Sequence, residues 1–211
     1  MTIVKQSDSL EKKVGVTLLQ REAKRAVPKR PLRVAVIGAT GVVGRETLQI
    51  LKERKFPLAS VTAFASERSA GGTVDFGDDQ LDVHKLEAGS FKGVDIAFFA
   101  AGGSVSKTWA PRAAEAGAVC IDKSSSFRMD PDVPLVVPEV NGKALADFKK
   151  KRIVATPNCS TIQMVQVLAP LHRQAGLARV VVCTYQAVSG AGRGGIDELE
   201  GQVRAMFNLT E

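Results

Sequence analysis

The chain has 211 residues, 45% hydrophobic and 24% charged, the composition of an ordinary globular protein with enough apolar material for a real core. Its net charge of +7 is uneven: residues 1–30 carry eight Lys/Arg against three Asp/Glu, the remainder 21 against 19. The basic excess therefore belongs to an N-terminal arm, and with one Trp, one Tyr and no nucleic-acid module in the pattern, neither DNA nor RNA is an expected partner.

The arm, residues 1–31, is expected to be poorly ordered. It lacks the apolar core of a secretory signal, and no apolar run in the chain approaches the roughly 18 residues of a membrane span. The cytoplasm is the expected compartment, or a plastid if the arm is a transit peptide. After Pro28 and Pro31, the run Arg33-Val-Ala-Val-Ile37 predicts a buried strand closed by a glycine turn. Apolar spacing from Val43 to Arg54 predicts a helix, and Val61 to Ala65 a second strand, which together make a β-α-β unit.

Further strands are expected at 95–100, 118–122 and 152–155, with helices at 105–116 and 142–149 between them. Residues 71–84, punctuated by Gly71-Gly72 and Gly77-Asp-Asp79, suggest a hairpin or an irregular crossing. Helix 161–174, a β-rich run 178–188, a glycine cluster 190–195 and a last helix 197–207 complete the pattern. Strands alternating with helices imply an α/β fold, a doubly wound parallel sheet of Rossmann type. The expected domains are a dinucleotide-binding unit over 32–157 and the beginning of an α+β domain over 158–211.

Between first strand and first helix lies Gly38-Ala-Thr40-Gly41-Val42-Val43-Gly44. Glycines there let the backbone turn tightly and approach a pyrophosphate, whose charge meets free amides and the positive end of a helix. At the end of the second strand an acidic residue would suit a ribose diol, but the chain has Ser66-Glu-Arg68-Ser69. Two hydroxyls and a guanidinium suit a 2′-phosphate, so NADP is favoured over NAD, with Glu67 the contrary sign. A solvated Glu67–Arg68 pair is the alternative reading of those letters. Gly102 and Ser104, after the strand ending at Ala100, sit on the same ligand-binding edge. Ser104 acting only as a helix cap explains the same residues without a ligand.

Three cysteines without a C-x-x-C motif, and only His84 and His172, indicate neither a disulfide framework nor a zinc cluster. In Ala155-Thr-Pro-Asn158-Cys159-Ser-Thr161, Cys159 falls at the entrance of a helix, where the dipole favours thiolate over thiol. It is a candidate nucleophile. Cys120 and Cys183 lie in apolar strand-like runs and are expected to be inert core residues.

The glycine turn, Pro157-Asn-Cys159-Ser-Thr161 and Gln186-Ala-Val-Ser189-Gly190-Ala-Gly192 together resemble the aspartate-semialdehyde dehydrogenases, from Arg33 to the end of the sequence. The resemblance implies that Cys159 is the nucleophile, that Gln186 orients the bound intermediate and that Asn158 contacts substrate. It also implies that Arg128, in Ser124-Ser-Ser-Phe-Arg128, holds the phosphate, and that Ser189, Gly190 and Gly192 lie near the nicotinamide. The implied reaction is reversible reductive dephosphorylation of aspartyl 4-phosphate to aspartate 4-semialdehyde with NADPH, in a homodimer serving lysine, threonine and methionine biosynthesis. N-acetyl-glutamyl-phosphate reductase shares the architecture, but its cysteine motif typically reads Gly-Cys-Tyr-Pro. A non-catalytic dinucleotide-binding module is the alternative from another class. The family's histidine base and a second substrate-binding arginine are expected beyond Glu211. His172, expected in the middle of the helix after Cys159, does not match that base, so little turnover is expected from the 211 residues alone.

Overall fold

The computed structural model describes residues 30–208; the N-terminal arm and its expected disorder lie outside the described residues, apart from its last two positions. The central sheet has seven strands: β1 (Leu32–Ile37), β2 (Leu58–Ala65), β3 (Thr73–Phe76), β4 (Asp79–Lys85), β5 (Ile96–Phe99), β6 (Val119–Asp122) and β7 (Ile153–Ala155). Their spatial order is β3-β4-β2-β1-β5-β6-β7. All neighbours are parallel except β3 and β4, so residues 71–84 form an antiparallel hairpin, turned at Gly77 with a φ of +67°. The main helices are α1 (Val42–Glu53), α2 (Gly103–Glu115), the single-turn α3 (Pro138–Asn141), α4 (Cys159–Ala175) and α5 (Arg193–Asn208).

Strand pleating divides the core between the two faces of the sheet. Val34 and Val36 of β1 join Leu48 and Leu51 of α1, with Ala63, Val74 and Val83. Ala35 and Ile37 point the other way, into Phe64, Phe91, Phe99, the α2 alanines Ala110 and Ala113, and Ile153. Because β1 is covered on both faces from Val34 onward, Val34–Ile37 form an unbroken apolar run. From β1 the chain crosses to β2 on one side and later supplies β5 on the other. The carboxyl end of β1 is thus the switch point at which ligands of open α/β sheets bind.

Three expectations change. Residues 178–188 are not a strand: the segment 176–187 has no regular structure and makes no ladder with any described strand. Its β-branched letters favour extension, but a strand exists only with a partner. Val181 is 78% exposed and Tyr185 99%, and Cys183 is exposed too, so it is not the inert core thiol its neighbours suggested. Second, 142–149 is a 3-10 helix rather than an α-helix. Third, α4 begins at Cys159, two residues before Thr161, which places the cysteine in the first turn itself. No helix among the described residues is long and apolar enough to cross a membrane, and no group of three or more metal-ligating side chains occurs among them.

Phe99 is fully buried at the centre of the sheet, 6.1 Å between ring centres from Phe91. Phe99→Ala is expected to cost about 3–5 kcal/mol in urea-induced unfolding, from lost burial plus the cavity left behind. Met129→Ala, at a position 92% exposed, should stay within about 0.5 kcal/mol of wild type.

Candidate active site

The glycine turn is built by close approach. Gly38 has a φ of +83°, and a Cβ on it would stand 2.8 Å from the carbonyl of Ala100, where β5 ends. A Cβ on Gly44 would collide with the Gly38 carbonyl. Gly41 caps α1 in extended conformation and donates its amide to Gly38 O at 3.0 Å. The first-turn amides of Val42, Val43 and Gly44, which a helix leaves without internal partners, face the switch point. Neither Gly38 nor Gly44 has room for a side chain, and together they let α1 start hard against β1. That is the geometry a pyrophosphate needs at a helix N-terminus, and these residues fit a dinucleotide.

Beside this turn is a cleft of about 890 Å³, lined by Thr40, Gly41 and Val42, by Ser66, Arg68 and Ser69, and by Thr73. The β1 and β2 exits are thereby brought together. Glu67 pairs with Lys85 and not with Arg68, and that partner holds the Glu67 carboxyl below its ordinary range through a hydrogen bond and direct charge attraction. Among the described residues Arg68 has no carboxylate partner, so the expected alternative of a Glu67–Arg68 pair is not found. Arg45 and Arg193 also line the cleft and were not anticipated: Arg193 comes from a segment whose convergence no local spacing announces, while Arg45 directly follows the glycine turn.

Gly102 and Ser104 do not line this cleft. Gly102, with a φ of +88°, is itself the cap of α2, and Ser104 sits inside the first turn with its carbonyl accepting from Thr108 Oγ1. The expectation that Ser104 caps this helix is corrected: the turn into α2 needs a left-handed residue at 102, and glycine takes that place. Ser189 and Gly190 lie on a 3-10 turn, Val188–Ala191, ended by Gly192 with a φ of +83°. None of the three borders the dinucleotide cleft.

Cys159 is the exposed first residue of α4. Its Sγ lies 3.9 Å from Asn158 Oδ1 and 3.8 Å from Gln186 Oε1, so three residues expected to act together do converge. Asn158 caps the helix: its Oδ1 accepts from Ser160 N at 3.0 Å and Ser160 Oγ at 2.6 Å. The carboxamide oxygen being thus committed, the Asn158 NH₂ group is the end free to meet a ligand. Ser160 and Gln186 also line a second cleft, of about 460 Å³, with Thr161, Met164 and Thr184. His172 is in the last turn of α4, where its Nδ1 accepts the Leu177 amide at 3.1 Å. It ties off the helix, as a residue at a C-terminus does.

Arg128 is half-buried between the exits of β6 and β7. Its Nε donates to Thr156 O at 2.9 Å and one terminal nitrogen donates to Lys123 O at 3.1 Å. A guanidinium has five N–H donors, so three remain for an anion. The same loop is held by the fully buried Asp122, which accepts from Ser124 N and Ser124 Oγ. Lys123, another residue not anticipated, reaches back to Thr47 Oγ1 of α1 at 3.1 Å.

Two family models match the chain: semialdehyde dehydrogenase, NAD binding domain, over residues 33–148, and semialdehyde dehydrogenase, dimerisation domain, over 168–211. The fold and these matches place the chain in the semialdehyde dehydrogenase class, with that class's NAD-binding domain over residues 33–148. Aspartate-semialdehyde dehydrogenase from Aquifex aeolicus is 58% identical over 174 residues, 82% of this chain and 51% of that protein. Aspartate-semialdehyde dehydrogenase 2 of Vibrio cholerae is 51% identical over 175 residues, 83% of this chain and 52% of that protein. The crystal structure of the Vibrio cholerae enzyme II complexed with ASA superposes with a TM-score of 0.81 at 49% identity, covering 86% of this chain and 54% of that one. The Candida albicans enzyme with NADP gives a TM-score of 0.55 at 28% identity, over 69% of this chain and 48% of that one. The chain belongs to the aspartate-semialdehyde dehydrogenase family, and it spans about half the length of the curated relatives it matches.

Two measurements check this geometry. Cys120 is fully buried, its thiol donating to Ala110 O at 3.3 Å and its pKa pushed up to about 12 by burial. Brief iodoacetamide treatment near neutral pH followed by peptide mapping should therefore label Cys159 and Cys183 and spare Cys120 until the protein is unfolded. Burial holds the Lys123 ammonium below its ordinary pKa. In the window between its folded value and the ordinary lysine value, the unfolded chain binds more protons, so stability rises with pH there. Lys123→Met should flatten that rise in chemical denaturation measured across the alkaline range.

Proposed function

We propose that the chain is the cofactor-binding and nucleophile-bearing part of an NADP-dependent aspartate-semialdehyde dehydrogenase. The observation that carries this reading is the convergence of Cys159, Asn158 and Gln186 at the N-terminus of a 17-residue helix. In this reading residues 32–157 hold the dinucleotide and 158–211 begin the catalytic and dimerisation domain of a homodimer. The substrates are aspartyl 4-phosphate in one direction, and aspartate 4-semialdehyde with phosphate in the other. The pathway served is lysine, threonine and methionine biosynthesis.

Cys159 acts as thiolate, supported by the partial positive charge at the start of α4. Its sulfur attacks the acyl carbon of aspartyl 4-phosphate, the carbon–oxygen bond to phosphate breaks, and inorganic phosphate leaves with a thioester in place. The nicotinamide nucleotide, when bound, supplies the hydride that reduces this thioester. The carbon–sulfur bond then breaks, releasing aldehyde and returning the thiolate. Asn158 presents its free NH₂ group to the substrate, and Gln186, exposed and beside the sulfur, orients the bound acyl group. Arg128 clamps the phosphate through its three unused donors, a task suited to a planar fork. The glycine turn with Thr40, Val42 and Val43 receives the pyrophosphate. Gly102 and Ser104, and Ser189, Gly190 and Gly192 on the nicotinamide side, lie outside the cleft beside the glycine turn, and in this reading they meet the cofactor where it extends past that cleft. Ser66, Arg68 and Ser69 take the 2′-phosphate.

The test separates chemistry from turnover. Mixed with aspartate semialdehyde and NADP, the chain should give a sub-stoichiometric burst of cofactor reduction, with little phosphate-dependent steady-state rate. Cys159→Ala should abolish the burst, and a burst that survives the substitution would remove Cys159 from the reading. Arg68→Ala should weaken NADP binding by about 1.5–3 kcal/mol, the range of a charge-assisted hydrogen bond, and leave NAD nearly unchanged. Calorimetric titration with each nucleotide measures this, and equal losses would sink the NADP assignment.

A further inference from the structure

Lys123 joins two parts of the candidate site that are not neighbours in the sheet. It is the first residue beyond β6, and its amide donates to Phe99 O at the end of β5 at 3.1 Å. Its side chain turns to the face that α1 covers, where Nζ donates to Thr47 Oγ1 at 3.1 Å. The two residues are 76 apart in sequence, and β5 lies between β6 and the strand that α1 follows.

Each end of this link leads to a group already assigned to a ligand. Thr47 is buried, and its hydroxyl donates to Val43 O at 2.7 Å. Val43 belongs to the first turn of α1, whose amides face the switch point. At the other end the Lys123 carbonyl accepts a terminal nitrogen of Arg128 at 3.1 Å. Val43, Thr47, Lys123 and Arg128 thus form one connected chain, with the glycine turn at one end and a guanidinium with open donors at the other. A hydroxyl bonded to the carbonyl four residues back is common in helices. Here the same oxygen also accepts from an ammonium, so it is held from both sides, and bonds in such a relay polarise one another.

Stability gives no reason for an ammonium at this place. Burial disfavours its charged form, Glu46 attracts it without pairing, and among the described residues no carboxylate lies within ion-pair distance of it. An apolar side chain would fill the space without that cost. We propose that Lys123 is a positioning residue that fixes the Arg128 phosphate clamp to the first turn of the nucleotide-binding helix, so that phosphate and nucleotide bind with positive coupling. This rests on the readings of Arg128 as the phosphate clamp and of the glycine turn as the pyrophosphate seat, and adds the connection between them. An anion held by Arg128 orders Lys123 through its carbonyl, and Thr47 and Val43 with it. A nucleotide seated on α1 then has less to immobilise, and linkage makes the benefit mutual.

Calorimetric titration of the 211-residue chain with NADP, with and without saturating inorganic phosphate, reads the coupling. Wild type should bind NADP about fivefold or more tightly when phosphate is present. Arg128→Ala should abolish that enhancement, which assigns it to phosphate at Arg128 and not elsewhere. Lys123→Met should reduce it below about twofold, with an unchanged circular dichroism spectrum and no loss of stability near neutral pH. Thr47→Val should act alike, the double variant should lose no more than either alone, and Thr47→Ser, which restores the hydroxyl, should recover the enhancement. Undiminished enhancement in Lys123→Met overturns the proposal, and so does its absence from wild type. Phosphate titrated alone keeps the readings apart. If Arg128→Ala weakens phosphate binding while wild type shows no enhancement, only the present inference fails. If phosphate binds Arg128→Ala as it binds wild type, the reading of Arg128 fails and this inference with it.

Discussion

The contact between Gly44 and the Gly38 carbonyl is the constraint from which the rest of the site takes its position. It sets how near the first turn of α1 can come to the end of β1, and thus where the unpaired amides of Val42, Val43 and Gly44 lie relative to the sheet edge. The same approach seats Leu48 and Leu51 on Val34 and Val36, so core packing and ligand geometry are one arrangement. A side chain at either glycine would force the helix outward, and both would be lost together. Gly38 faces β5 as well, against Ala100, so the turn is confined from two sides.

Charge is distributed so that acidic groups near this edge are already engaged. Glu67 is drawn to Lys85, Asp197 to Arg193, and Asp79 on the hairpin to Lys52. Each pair is exposed and contributes little to stability. Their effect is electrostatic: carboxylates that would repel a nucleotide are screened by cations of their own, while Arg68 is left uncompensated among the described residues. Asp122 follows another rule. Fully buried at the end of β6, it is satisfied by the Ser124 amide and hydroxyl, and so shapes the loop that carries Arg128 without presenting charge to the cleft.

Much of the sheet could be read from the letters alone, for a physical reason. β1, β5, β6 and β7 are buried on the sheet's faces and show short apolar runs, and the glycine turn between β1 and α1 marks itself by spacing. Residues 178–188 carried an equally strong apolar signal and are irregular. Strand propensity is local, whereas a ladder needs a neighbour that no window of sequence contains. The α2 cap failed for the opposite cause. Ser104 is the better capping side chain, but the dihedral angles at Gly102 decide where the helix starts. At the cysteine, position along the chain sufficed to bring Asn158 and Cys159 together, and the resemblance supplied Gln186. Arg193 and Lys123 were illegible because each gains its meaning only from a distant segment folded against it, whereas Arg45, anchored to Thr40 beside the glycine turn, was missed although it is local.

Arg128 joins the two strand exits through main-chain carbonyls, Lys123 O behind β6 and Thr156 O three residues before Cys159. A ligand gripped by its remaining nitrogens is therefore indexed to the backbone and not to the rotamers of flexible neighbours. If Arg128 holds the phosphate as proposed, the cross-link behaves as a gauge block between two machined surfaces, and the spacing from anion to sulfur is inherited from the distance between β6 and β7.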